Sequence, residues 1–340
     1  MAAEGVFLHQ DSTLWGLVGY ADAAGQLRSF LRRLDAAVAR LRADPPDVLV
    51  PIDFPGFNLA LLKRLRGLTR AVYYVPPMVS IRRGRRAARV AALGARLLAI
   101  FPFEAEAYRR AGADVVFVGH PSVDLLERTE PPERVRMSLR IGPSEPVLGL
   151  LPGSRQHEID ALLEPMLESA ATVRAAIPTL EVLLALSSPV FRDRVDAAVA
   201  ASGLRAAVLE GAREVMGAST VLLTASGTAT VEAMVLGVPM VVTYRTAWAN
   251  WLLSYMVVNY RRAALPNIMA RSDVVPELLQ SRATPAGLAR AVIRLLRDPA
   301  AAEAMRLRLL ELAGTLGPPG AARRAACEVL AAAGRQRRQP

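Results

Sequence analysis

Thr224-Ala225-Ser226-Gly227-Thr228-Ala229-Thr230-Val231-Glu232, running on to Val242 as TASGTATVEAMVLGVPMVV, holds the change of period that decides the fold. The residues leading into it, Thr220 to Thr224 (TVLLT), are β-branched or aliphatic and carry no charge, as in a strand buried on both faces. Ser226, Gly227 and Thr228 then supply N-cap and turn chemistry, and Ala229 to Val235 read as a helix that Gly237 and Pro239 end. A strand that passes through a small-residue turn into a helix leaves free backbone N–H groups at the carboxyl edge of a sheet, where phosphate can be held. Glu232, about one turn into the helix, would reach a sugar diol beside that phosphate. Standing alone, the motif is an ordinary crossover.

Its surroundings repeat the same grammar. Asp47 to Asp53 (DVLVPID) has a buried-strand pattern, and further strands are expected at Ala71–Val75, Leu97–Ile100, Val115–Val118, Val147–Leu151, Val182–Ala185, Ala207–Leu209 and Met240–Tyr244. Helical patterns lie between them, at Phe57–Leu68, Gly84–Leu93, Ala105–Ala111, Glu158–Ile177 and Phe191–Ala201, after an amphipathic Ala24–Leu41. Such alternation predicts an α/β protein of parallel, doubly wound sheets with helices on both faces. Pro131, Pro132, Gly142, Pro143 and Pro146 make Arg128–Pro146 the boundary between domains 1–140 and 141–333, with a basic tail at 334–340. After Pro276 the pattern reads as helical to Ala333.

Ligands of such sheets bind at the carboxyl ends of strands, and the polar residues with chemical potential lie there. Gly153 and Ser154, in Leu150-Leu151-Pro152-Gly153-Ser154-Arg155, allow a tight turn with exposed amides, and Arg155 adds a fork suited to a diphosphate. Neither this loop nor the Ser226 loop is a Walker A or GxGxxG pattern, which argues against ATP hydrolysis and dinucleotide redox chemistry. Asp53 ends its strand in an apolar setting, where burial would make it a better proton acceptor; it could equally cap the helix near Phe57. His120, in Gly119-His120-Pro121, is a loop histidine in its commoner reading.

Composition narrows the classes. The 340 residues carry a formal net charge of +11, mostly as arginine, and 52% are hydrophobic, so the chain is globular and suited to phosphate-bearing partners. Aromatic residues make up 5% and do not alternate with basic ones, which weighs against a nucleic-acid platform. The single cysteine, Cys327, excludes an intrachain disulfide and reads as packing, and His9, His120 and His157 are too scattered to suggest a metal site. Met1–Gly16 has no leader-like pattern, so the protein is expected in the cytoplasm. Trp248–Val258 (WANWLLSYMVV) is too short to span a membrane and reads as a buried or membrane-facing helix. The run IRRGRRAAR, from Ile81 to Arg89, suits a solvated helix face, an anionic lipid surface or nucleic acid.

From Asp47 to Gln280 the chain resembles the lipid-A-disaccharide synthases, inverting glycosyltransferases of the GT-B fold. The segments that carry the resemblance are PIDFPGFN (51–58), FPFEAEAY (101–108), FVGHPSVD (117–124), LLPGSRQHEI (150–159), ASGTATVEAMVLGVPMVVTYR (225–245) and LPNIMARSDVVPELLQ (265–280). The resemblance implies a hexosyltransferase that moves 2,3-diacylglucosamine from UDP to the 6-hydroxyl of 2,3-diacylglucosamine 1-phosphate, called lipid X, releasing UDP. It implies Asp53 as general base and Arg155 as diphosphate ligand. Ser226, Gly227, Thr228 and Thr230 would line the phosphates, Glu232 would accept from the ribose, and Asn267 would border the nucleotide. Ser154, Asn58, His120 and Tyr244 complete the implied substrate-binding set. No metal and no cofactor are implied, since no DxD is present. The implied setting is lipid A biosynthesis in a Gram-negative bacterium, peripheral to the cytoplasmic face of the inner membrane, with no nucleic-acid partner and a homodimer left open.

Three segments depart from the family pattern. Met1–Gly5 resembles an interior stretch, so the opening strand-loop-helix with its GETSGD loop is expected to be missing. Tryptophans are absent from Met78–Arg83, where the family has SVWAWR, and Trp15–Tyr20 lacks the glutamate of MGxVEV. All three fall in the acceptor half. Two further readings therefore accompany the first: another GT-B enzyme that uses UDP-GlcNAc, and a nucleotide-sugar-binding homologue that has lost catalysis.

Overall fold

The computed structural model describes residues 5–7, 23–79, 85–125, 130–245 and 262–334. Trp248–Val258, Trp15–Tyr20 and Arg82–Gly84 of the Arg82–Arg89 run lie outside them, as does the 334–340 tail beyond its first residue. Two parallel sheets form. The first has four strands in the order β1-β2-β3-β4: β1 Val48–Leu49, β2 Arg70–Tyr74, β3 Arg96–Ala99 and β4 Val115–Phe117. The second has six in the order β10-β9-β8-β5-β6-β7. These are β5 Val147–Leu151, β6 Glu181–Leu186, β7 Ala207–Glu210, β8 Val221–Ala225, β9 Met240–Tyr244 and β10 Glu277–Leu279.

The helices between strands are α1 Ala23–Ala43, α2 Pro55–Arg64, α3 Arg86–Ala91, α4 Pro102–Arg110 and α5 Pro121–Leu125 in the first half, then α6 Pro132–Ser138, whose Val135 joins the core of the second sheet. They continue as α7 Gln156–Ala176, α8 Arg192–Ser202, α9 Ala212–Ala218, α10 Ala229–Leu236 and α11 Leu265–Ala270. Three more, α12 Pro285–Arg297, α13 Pro299–Gly314 and α14 Ala321–Gly334, end the chain. Every strand expected from the alternation is present, and β10 is an addition. Its three residues follow Pro276 and pair with β9 (Glu277 with Val242), so the pattern there is not helical from Pro276 as expected. A three-residue edge strand is too short to show a period.

The second sheet is the better buried. Every residue of β5 and of β8 is buried, and the core continues through Ile159, Leu162 and Met166 of α7 and Leu288 and Val292 of α12. Apolar runs buried on both faces are what parallel central strands require. In the first sheet only the middle strands are comparably buried, around Val72, Tyr73, Leu97 and Leu98. β1 is two half-buried residues at the edge.

The chain returns at its end to the first sheet, where α14 packs against β2 and α5. Asp124 caps α14 by accepting from the amides of Gly320 (2.5 Å), Ala321 and Ala322 (both 3.3 Å). Burial would raise its carboxyl, but the three amides outweigh that and hold it below the ordinary range. Arg324 donates from Nε to the carbonyl of Val118 at 2.8 Å, and Arg96 pairs with Glu328 at 2.9 Å. Cys327 lies on this helix and is exposed, which corrects its reading as a packing residue. Among the described residues no helix is long and apolar enough to cross a membrane.

Candidate functional site

The strand order places the site. The chain runs β5-β6-β7 toward one edge, then crosses back to lay β8, β9 and β10 toward the other. The direction therefore reverses between the neighbours β5 and β8, and a doubly wound sheet opens its ligand crevice at such a reversal, outside the carboxyl ends. Leu151 pairs with Thr224 in the register, so the Pro152–Arg155 turn and the Ser226–Thr228 turn leave the sheet side by side. A cavity of about 670 Å³ lies elsewhere, around Arg70, Arg96 and Asp114 at the opening ends of the first sheet's strands, so volume does not mark this site.

In the first turn the expectation of free amides needs correcting. The Glu158 carboxylate, buried in the first turn of α7, accepts from the amides of Ser154 (2.9 Å) and Arg155 (3.2 Å). Its other oxygen pairs with Arg155 Nη1 at 2.9 Å. A carboxylate three residues into the helix thus satisfies the orphan donors that a phosphate would otherwise meet. Gly153, at φ 119°, makes this possible, because a Cβ there would lie 2.5 Å from Glu158 Oε2. Arg155 itself stays exposed, and Ser154 with it.

In the second turn the amides of Gly227, Thr228 and Ala229 meet no acceptor among the described residues, and Gly227 and Thr228 are exposed. These amides are open, whereas two of the hydroxyls beside them are engaged. Thr230 is wholly buried and its hydroxyl donates to the carbonyl of Gly227 at 2.7 Å, while Ser226 Oγ donates to Ala263 at 2.9 Å. Asn267, expected at the nucleotide's border, is buried and fully engaged. Its amide nitrogen donates to Val275 and Glu277, and its oxygen accepts from Val274 and Val275. Glu277, in turn, accepts from the amides of Ala263 and Ala264. The sequence reading missed Glu277, which with Asn267 fixes the Ala263–Ala264 segment that holds Ser226. Tyr244 ends β9, half-buried. Glu232 is half-buried in the first turn of α10, 3.4 Å from Arg213 Nε, a second residue the reading missed.

On the first sheet Asp53 follows β1 at its carboxyl end, and two consecutive non-glycine residues, Asp53 (φ 44°) and Phe54 (φ 43°), adopt left-handed backbone. Each costs roughly 1–2 kcal/mol and persists only where its surroundings over-determine it. Here they do. Asn58, buried, donates from its amide to the carbonyls of Ile52 (3.0 Å) and Asp53 (2.6 Å), and the buried Tyr73 hydroxyl donates to Asp53 O at 2.8 Å. Burial, then the Asp53 charge, push the Tyr73 phenol well above its ordinary range, so it stays a donor. Asn58, expected among the substrate-binding residues, thus holds the turn through its amide nitrogen. Asp53 is exposed, flanked by Ile52 (43%) and Phe54 (47%), so the enclosed setting expected for it is absent. No hydrogen bond or ion pair joins Asp53 to Arg155; they stand on different sheets.

His120 lies between β4 and α5 and is buried, its ring 4.9 Å from that of Phe101 and its Nδ1 accepting from the Ser122 amide at 3.1 Å. Its own amide donates to Leu316 of the second half, and the adjoining α5 touches α10. It braces the junction between halves and is, as in its commoner reading, a loop histidine bonded to backbone; it was also expected in the substrate-binding set. Burial pushes its imidazole down to about 4, from the 6.5 of a free histidine. Below 6.5 the unfolded chain takes up a proton that the native one refuses, so stability is intact above 6.5 and falls as the pH drops toward 4. Urea unfolding at pH 7.5 and 5 should show a loss of about 2 kcal/mol from this group, absent in His120→Gln. An equal loss in both chains would remove the assignment.

Among the described residues no three His, Cys, Asp or Glu side chains could hold a metal ion together.

Residues 1–315 match the family described as lipid-A-disaccharide synthetase. The chain is 41% identical to a lipid-A-disaccharide synthase of Alkalilimnicola ehrlichii, over 98% of this chain and 89% of that one. It is 38% identical to one from Anaeromyxobacter dehalogenans, over 94% and 84%. Among solved structures, a UDP co-structure of S. aureus MnaA superposes with a TM-score of 0.64 at 13% identity, over 94% of this chain and 85% of that one. At that identity the likeness shows the fold alone, which is GT-B.

Proposed function

From the premise that this chain belongs to the lipid-A-disaccharide synthase family, and so is a hexosyltransferase of lipid A biosynthesis, we propose how its residues divide the transfer. UDP-2,3-diacylglucosamine is the donor and lipid X the acceptor. The second half, residues 141–333, takes the donor, with the Gly227–Ala229 amides and Arg155 on the diphosphate and Glu232 on the ribose. The half of residues 1–140 takes the acceptor, and Asp53 accepts the proton of its 6-hydroxyl as that oxygen attacks the anomeric carbon. Charge growing on the departing UDP is met by Arg155 and the α10 amides, without a metal.

The observation that carries this reading is the pairing of a reversal point bearing unfilled amides and an exposed arginine with a carboxylate held on a strained, over-determined turn. Strain of that kind concentrates where a group must keep one orientation. Exposed Ile52 and Phe54 beside Asp53 suit an acylated acceptor. Arg85 and Arg89, exposed at α3, favour an anionic inner-membrane surface on its cytoplasmic side, with either one or two copies of the chain at work.

The test supplies both acylated substrates in vesicles containing anionic lipid. The expected result is disaccharide 1-phosphate and UDP in equal amounts, with the chain co-floating at low salt. Turnover of non-acylated UDP-GlcNAc in preference would support the broader GT-B alternative, UDP binding without product the degenerate one, and failure to co-float would remove the membrane surface.

A further inference from the structure

Arg213 was not among the residues singled out by motif. It stands in the first turn of α9, just past the carboxyl end of β7, where Gly211 (φ 120°) turns the chain. Glu232 stands in the first turn of α10, and the two helices pack against each other. Arg213 Nε approaches Glu232 Oε2 at 3.4 Å, and that nitrogen is buried without a hydrogen-bond partner. The rest of the pair is partly open, with the Arg213 side chain 38% and the Glu232 side chain 21% exposed. An ion pair that open to water contributes little to folding, so stability does not explain it.

Electrostatics does. A carboxylate one turn from amides that await a diphosphate would repel that ligand. We propose that Arg213 is a positioning residue for Glu232: it holds Oε2 and offsets the negative charge, leaving Oε1 to accept from the 2′,3′-diol of a nucleoside diphosphate. The inference rests on the ribose role given above for Glu232. Its consequence is selectivity for the ribonucleotide, because a site arranged to receive a hydroxyl loses a charged hydrogen bond when the hydroxyl is missing.

The probes are UDP and 2′-deoxy-UDP, their affinities measured on the full chain by calorimetry and as inhibitors of transfer. The unmodified chain should prefer UDP by about tenfold, the loss of one charged hydrogen bond. Arg213→Ala should shrink that ratio to about twofold, Arg213→Lys should restore part of it, and Glu232→Gln should abolish it. The double variant should be no worse than Glu232→Gln alone, since the two residues act on one contact. Because each ratio is taken within one protein, a partly misfolded variant lowers both affinities and leaves the ratio readable. If Glu232→Gln loses the preference while Arg213→Ala keeps it in full, Arg213 does not position Glu232 and the inference falls by itself. If Glu232→Gln keeps it, the ribose reading falls and takes the inference with it.

Discussion

Asp53→Asn is expected to lower kcat about a thousandfold, the middle of the range for a lost general base, while the donor KM changes little. Asparagine is the informative replacement because its side chain tolerates left-handed backbone, so Asp53 (φ 44°) can be changed without releasing the turn. Alanine would remove the carboxylate and strain the turn as well. The donor should be indifferent, since its proposed contacts lie on the other sheet; calorimetry with UDP should give the same affinity in both chains. More than a tenth of the original kcat in Asp53→Asn would end the role proposed for this carboxylate. Because Asp53 is exposed, the role proposed for it rests on placement: Asn58 and Tyr73 grip its carbonyl and fix the backbone that carries the carboxylate.

Arg155→Ala is expected to reduce kcat/KM by a factor of about one hundred to one thousand, as when one preorganised donor to a developing anion is lost. Unfolding should move little. The Arg155 side chain is 62% exposed, and its partner Glu158 keeps both amides at the start of α7 when the guanidinium goes. Arg155→Lys should recover only part of the loss, because a compact ammonium cannot reach two phosphate oxygens as a planar fork does. An Arg155→Ala chain with unchanged kcat/KM and unchanged urea midpoint would show that the diphosphate is held elsewhere.

The fold was legible because period and punctuation both repeat. Apolar runs such as Val147–Leu151 and Thr220–Thr224 end in small-residue turns, and buried parallel strands allow little else. The site was legible by position and less so by contact. Ser154 was expected at the phosphates from its place in a strand-end turn and Thr230 from the resemblance, yet their neighbours decide what remains free. One correction was in reach of the sequence: a glutamate three residues after a helix start is the mark of a reciprocal cap, and Glu158 stands three residues after Arg155. Others were not. Arg213 meets Glu232 through the packing of two helices, and Asn267 closes on Glu277 only once β10 pairs with β9. No local pattern encodes either. Asp53 looked enclosed because its neighbours are apolar, but at an edge strand such neighbours can face outward.

The last helix belongs by sequence to one half and by contact to the other. Its cap on Asp124 and its grip on Val118 mean that two strands of polypeptide cross between the sheets, one outbound after β4 and one inbound after α13. A door hung at two points can swing but cannot drift from its frame. Any change in the angle between the halves must be taken up where the chain crosses, and Arg324, which ties the last helix to Val118, is placed to resist it.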